Sequence, residues 1–139
     1  IFSLAIDRSG IIVVAYNFIN KIEVWRTDGR FIREFEAPGI IQRPPRKKLA
    51  SKALLQSGLE FPSGNVTWSC ALDPKGNIYV LLADFTANPN RDVYVFDTAG
   101  NCHSILTLQE PAAQLWIDKD GSLYTIEQKR TLVRKYTIY

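Results

Sequence analysis

Short runs of apolar and β-branched residues, each broken by a turn signal, follow one another along most of the chain. In the run from Lys21 to Arg26, Ile22 and Val24 alternate with charged neighbours, the period-2 signature of a strand with one buried face. Three segments share a stronger pattern: Leu4 to Val14, Cys70 to Val80 and Leu115 to Thr125. Each is an apolar run, then Asp-x-x-Gly, then a second β-rich run. Asp at the first position and Gly at the fourth are what a type I turn favours. The Asp side chain accepts hydrogen bonds from turn amides, and Gly tolerates the chain exit. Asp7 with Gly10, Asp73 with Gly76 and Asp118 with Gly121 are therefore assigned as structural turns, each closing a hairpin.

A third β-rich run follows each hairpin, at 21–26, 92–97 and 131–136. The first two copies then turn at Asp28-Gly29 or Ala99-Gly100 and enter a fourth run, Phe31 to Phe35 and Cys102 to Leu108. Four antiparallel strands per unit make one blade of a β-propeller. The anchor aspartates are 66 and then 45 residues apart. The second interval fits a four-stranded repeat of about 40–45 residues, and the first exceeds it by an insertion. The expected organisation is all-β: a single partial β-propeller domain over 1–139, with blades at about 1–36, 67–108 and 114–139 and an insertion at 37–66. The third blade lacks its fourth strand.

The order apolar-Asp-x-x-Gly-x-Ile-Tyr-Val, a gap, then Val-x-Val-Phe-Asp-x-x-Gly resembles the NHL repeat. Asp73, Gly76, Ile78, Tyr79, Val80, Val95, Phe96, Asp97 and Gly100 carry the likeness best; Asn20, Ile22, Trp25, Asp28 and Gly29 repeat it in the first copy. The resemblance implies a six-bladed ring. It does not fix a function, because such propellers serve as enzymes, protein docks, RNA binders and sensors. By the same analogy the protein is expected to be exported, to periplasm or outside the cell.

A ring needs more blades than this chain supplies. Four or five large apolar side chains left unburied on each terminal blade, at about 1.5–3 kcal/mol each, forgo roughly 10 kcal/mol per face, comparable with the whole stability of a domain. The chain also has no initiator Met. It is expected to be a fragment completed by further blades, or else to pair with a second copy.

Composition narrows the classes further. The chain of 139 residues is 46% hydrophobic and 12% aromatic, which places it among globular proteins. No apolar run approaches the roughly 18 residues of a membrane span. The net charge is +3, but Arg43, Arg46, Lys47, Lys48 and Lys52 fall in one stretch without an acid among them, and the remainder is net acidic. Basicity is thus local, and the chain as a whole is not expected to bind nucleic acid. Cys70 and Cys102 are too few for a disulfide framework and match no zinc spacing; buried free thiols are expected, with a mutual disulfide as the alternative.

The insertion is the most individual feature. Pro44-Pro45 and the cations open it, and 47–56 is compatible with a short helix pinned by Leu49 and Leu54. Its functional reading is a basic docking element for an acidic partner; its structural reading is a solvated decoration. The loop from Asp84 to Arg91 is oxygen-rich, as calcium loops are, but the other copies carry Asn17 or Gln128 there. The only histidine, His103, lies on an outer strand, which argues against a multi-histidine metal site or a catalytic triad. Trp25, Trp68 and Trp116 are expected to fill space between sheets, with Trp68, beside the insertion, the best candidate for ligand contact. The expected function is a non-catalytic recognition scaffold for a protein or small ligand, without cofactor or metal. The alternative is part of a propeller hydrolase or lyase whose catalytic groups lie mostly elsewhere.

Overall fold

The computed structural model describes residues 1–40, 64–129 and 131–138, and every regular element among them is a β-strand. Strands β1 (Phe2–Ile6), β2 (Ile11–Tyr16), β3 (Ile22–Arg26) and β4 (Phe31–Phe35) pair in chain order as one antiparallel sheet. Strands β5 (Thr67–Leu72), β6 (Ile78–Leu82), β7 (Asp92–Phe96) and β8 (Cys102–Thr107) repeat the arrangement. The third sheet has three strands, β9 (Ala112–Ile117), β10 (Leu123–Glu127) and β11 (Val133–Tyr136).

The sheets stack through their first strands, β1 against β5 and β5 against β9. Between the first and second sheets lies a core of Val13, Ile22, Val24, Val80 and Phe96. Between the second and third lies another, with Leu81, Val93, Leu115 and Leu123. The middle sheet is thus covered on both faces, and every residue of β6 and β7 is buried. The alternation in β3 does not mark a solvent face, because Glu23 is buried there with hydrogen bonds from Tyr16 and Trp25. The burial of β6 explains why Ile78 to Leu82 is an unbroken apolar run. A strand with two buried faces has no solvent side for polar residues. The outward faces of the end sheets are open: on β1, Phe2 is 58% and Ile6 59% exposed, and on β11, Val133 is 69% exposed.

The turns between first and second strands are built alike. Asp7 Oδ1 accepts hydrogen bonds from the amides of Ser9 and Ile11, each at 2.9 Å. Asp73 Oδ1 accepts from Lys75 at 2.8 Å and Asn77 at 2.9 Å, and Asp118 Oδ1 from Asp120 and Ser122, both at 2.9 Å. Gly10, Gly76 and Gly121 close these turns at φ of +85°, +86° and +83°. The same device recurs between β7 and β8: Asp97 accepts from Ala99 and Asn101, and Gly100 has φ of +88°. That connection is therefore a four-residue turn anchored by Asp97, where the sequence suggests a two-residue hairpin at Ala99-Gly100.

Candidate functional site

The connections between strands gather at two ends of the sheets. At one end lie the β2–β3 and β6–β7 connections, next to Asn65 and Val66. Asn17 Nδ2 donates to Thr67 O at 2.9 Å, and Thr67 Oγ1 donates back to Tyr16 O at 2.8 Å, tying the first two sheets together. Asn17 Oδ1 is buried without a partner. In the β6–β7 loop, Asp84 Oδ2 accepts from the Asn65 amide at 2.7 Å, and Asp92 Oδ1 accepts from Thr107 Oγ1 at 2.8 Å. Asn88 also donates to Asp92, and Arg91 Nε donates to Leu108 O. The loop's carboxylates thus hold the loop and its flanking strands in place. Among the described residues, no three His, Cys, Asp or Glu side chains come together as a metal site.

The buried carboxylates of the sheets are committed in the same way. Glu23 accepts from Tyr16 Oη at 3.0 Å and Trp25 Nε1 at 2.9 Å and pairs with Lys21; the Lys21 hydrogen bond is the main reason its carboxyl titrates below the usual range. Glu127 pairs with Arg134 at 2.7 Å. Asp73 Oδ2 accepts from Asn77 Nδ2 at 2.8 Å and lies 3.4 Å from Tyr79 Oη. Tyr79 is pushed up to about 12, chiefly by burial and then by the Asp73 charge.

At the opposite end the three Asp-x-x-Gly turns converge around a cleft of about 820 Å³. Ile6, Leu72 and Ile117 contribute apolar wall, and Arg8, Lys75 and Lys119 stand on the turns themselves. Arg33 reaches the cleft from β4 and donates through Nη1 to Ala99 O of the second sheet at 2.8 Å. Trp116, 61% exposed, forms part of the wall with its ring centroid 5.3 Å from that of Tyr124.

Arg43, Arg46, Lys47, Lys48 and Lys52, and the helix considered for 47–56, lie outside the described residues. Trp68 is half-buried against the core between the second and third sheets. Trp25 meets Phe31 edge-to-face at 5.1 Å. Trp116 is on the face of the third sheet turned away from the second, opposite Leu115 and Ile117. His103 is exposed on β8, 3.2 Å from Ser104 Oγ. Cys70 and Cys102 are free thiols. The cations of the cleft were not distinguished by sequence reasoning. The signal was present, since each anchor aspartate is followed within two residues by Arg8, Lys75 or Lys119.

Antiparallel sheets with strands in chain order, stacked by their first strands, are blades of a β-propeller. Solved structures agree. A selenomethionine-substituted virginiamycin B lyase from Staphylococcus aureus superposes with a TM-score of 0.56 at 14% identity over 98% of this chain. A catalytically inactive form of virginiamycin B lyase from the same organism, with quinupristin, superposes with a TM-score of 0.53 at 13% identity over 99% of this chain. At such identities the likeness establishes the fold alone. The chain spans about two fifths of the length of those proteins, 40% and 41%. No family model matches the chain, and no curated protein matches it in sequence.

Proposed function

We propose that the chain belongs to a non-catalytic recognition scaffold, an NHL-like six-bladed propeller that binds a protein or small ligand at the ends of its blades. The observation that carries this reading is the placement of the ionisable groups. Buried Glu23, Asp73, Asp92 and Glu127 are each committed to hydrogen bonds that hold strands or turns. The exposed groups at the blade ends remain available for binding. A second reading, part of a propeller lyase or hydrolase, is favoured only by the fold likeness to virginiamycin B lyase.

Because the lyase reading puts its catalytic groups mostly outside this chain, incubation of the whole protein that carries it with quinupristin, followed by chromatography, separates the two. A scaffold leaves the compound intact, and turnover above the no-protein control overturns the scaffold reading. The insertion is the second place to test. Replacing Arg43, Arg46, Lys47 and Lys48 with Ser is expected to leave the thermal midpoint nearly unchanged, because exposed charges contribute little to stability. It should weaken retention on an immobilised poly-glutamate surface and flatten its salt dependence. Unaltered retention would place acidic-partner binding elsewhere.

A further inference from the structure

We propose that the chain joins head-to-tail with a second copy of itself. The outward face of the third sheet takes the outward face of the second copy's first sheet, and Gln114 receives the amide of Leu4. This goes beyond the scaffold reading and rests only on the stacking of the sheets, so quinupristin turnover would leave it standing.

The boundaries inside the chain follow one rule. The residue four before one anchor aspartate accepts a hydrogen bond from the amide three before the next: Ser3 Oγ from Cys70 at 3.1 Å, and Ser69 Oγ from Leu115 at 3.0 Å. The rule leaves half of such a bond unused at each end. Four residues before Asp118 stands Gln114, exposed, whose side-chain carbonyl is an acceptor. Three residues before Asp7 stands Leu4. The Asp7 amide donates to Ile11 O, and bonded pairs alternate along an antiparallel ladder, so Ser3 and Ala5 bond to β2 while the Leu4 N–H points away from it. Ser3 and Ser69 are followed two residues on by Ala5 and Ala71, whereas Gln114 is followed by Trp116. Both side chains are larger on the third sheet, so the joint there is wider than the internal boundaries, and the longer arm of glutamine spans it.

The two faces also match in character. Phe2, Leu4 and Ile6 are exposed on the first sheet, and Trp116, Ile126 and Val133 on the third. Their charges are of opposite sign. On the first sheet Glu23 and Glu34 share the single ammonium of Lys21, which leaves that face net negative. On the third, Lys135 lies over the Tyr124 ring and makes no ion pair among the described residues. Pairing two like faces would set like charges against each other, and only the first sheet against the third brings opposite charges together. A contact between unlike patches is head-to-tail, and it closes when each copy uses both ends. Two copies of three sheets then supply six, the number that the NHL likeness implies.

The test uses the full chain. Analytical ultracentrifugation over a concentration series is expected to show a dimer. Leu4→Glu blocks the first-sheet face and Trp116→Glu the third-sheet face; both side chains are exposed, so each variant should keep its strand signal in circular dichroism. Each variant alone is expected to be a monomer. Mixed, they should form a one-to-one dimer, because one retains the third-sheet face and the other the first-sheet face. Gln114→Ala, which removes only the acceptor, should weaken the wild-type dimer about tenfold, or about 1.4 kcal/mol. Should a glutamate variant lose its strand signal, that comparison carries the test. A variant that still dimerises alone would show that like faces pair and would overturn the proposal. So would a mixture that stays monomeric, an unchanged dissociation constant for Gln114→Ala, or a wild-type chain that remains a monomer throughout, which would assign the faces to a further sheet or another protein.

Discussion

Ser3 and Cys70 meet across the boundary between the first two sheets: Ser3 Oγ accepts a hydrogen bond from the Cys70 amide at 3.1 Å. One sheet further on, Ser69 Oγ accepts from the Leu115 amide at 3.0 Å. Ser3 and Ser69 each lie four residues before an anchor aspartate, and Cys70 and Leu115 each lie three before one. The first strand of a sheet is an edge, and its amides that face away from the second strand have no partner within the sheet. A hydroxyl from the preceding sheet caps one such amide at each boundary, so the bond both satisfies a buried donor and fixes how the sheets are stacked.

Ser69→Ala is accordingly expected to destabilise the protein by about 1–3 kcal/mol, because it leaves the buried Leu115 amide unpaired. Ser104→Ala, on the outer strand β8, should stay within about 0.5 kcal/mol. Denaturant unfolding measures both, and amide exchange at Leu115 should accelerate in the first variant alone. Equal effects would mean that the inter-sheet bond contributes nothing particular.

Gly76→Ala combines two penalties. The backbone at φ +86° is left-handed, and an added Cβ would stand 3.1 Å from Thr98 Cγ2. Gly29 has φ +87° with nothing within 4 Å, so Gly29→Ala carries the backbone penalty alone. That penalty is about 1–2 kcal/mol, and Gly76→Ala should exceed it. Adding Thr98→Ser to Gly76→Ala, which removes the obstructing methyl, should return the loss to the Gly29→Ala level in thermal unfolding.

Asp97 and Asp118 are both held below the usual carboxylate range, chiefly by accepting the amide hydrogens of Asn101 and Ser122 respectively. A carboxyl with a lower pKa in the folded than in the unfolded state stabilises the fold while ionised. Its contribution is complete above the unfolded value of about 4 and fades as pH falls through the folded value. Melting temperatures should therefore decline below about pH 4, and Asp118→Asn should flatten that decline. An unchanged acid slope in the variant would show that Asp118 does not contribute to it.

Burial pushes the Cys70 thiol up to about 11, whereas Cys102 is only half-buried and raised less far. At pH 8 about one Cys70 thiol in a thousand is ionised, and the thiolate is the reactive form. A thiol reagent added to the native protein should label Cys102 first, and Cys70 only at the rate of unfolding. Rapid labelling of both thiols would contradict the packing between the first two sheets.

The open faces of the end sheets lead to a prediction about assembly. Phe2, Leu4 and Ile6 on one side, and Trp116, Ile126 and Val133 on the other, present apolar surface of the kind that buries itself. Expressed alone, the chain should self-associate or bind a hydrophobic dye. A sharply melting monomer that ignores the dye would show that these faces are tolerated in water.

Strand identity, hairpin order and the Asp-x-x-Gly turns were legible in the sequence because each depends on residues close together along the chain. Asp73 binds amides two and four positions on, and Gly76 closes the same turn. Even the double-sided burial of β6 was written in the unbroken apolar run from Ile78 to Leu82. The tertiary structure decided what depends on distance along the chain. Ser69 looks like an ordinary polar residue in a strand until stacking brings the Leu115 amide to it, 46 residues away. Arg8, Lys75 and Lys119 look like unrelated turn residues until three turns converge on one cleft. Local sequence specifies turns and strand faces because their partners are neighbours. The arrangement of sheets is fixed by contacts that no local pattern contains, and both the inter-sheet bonds and the cleft arise from that arrangement.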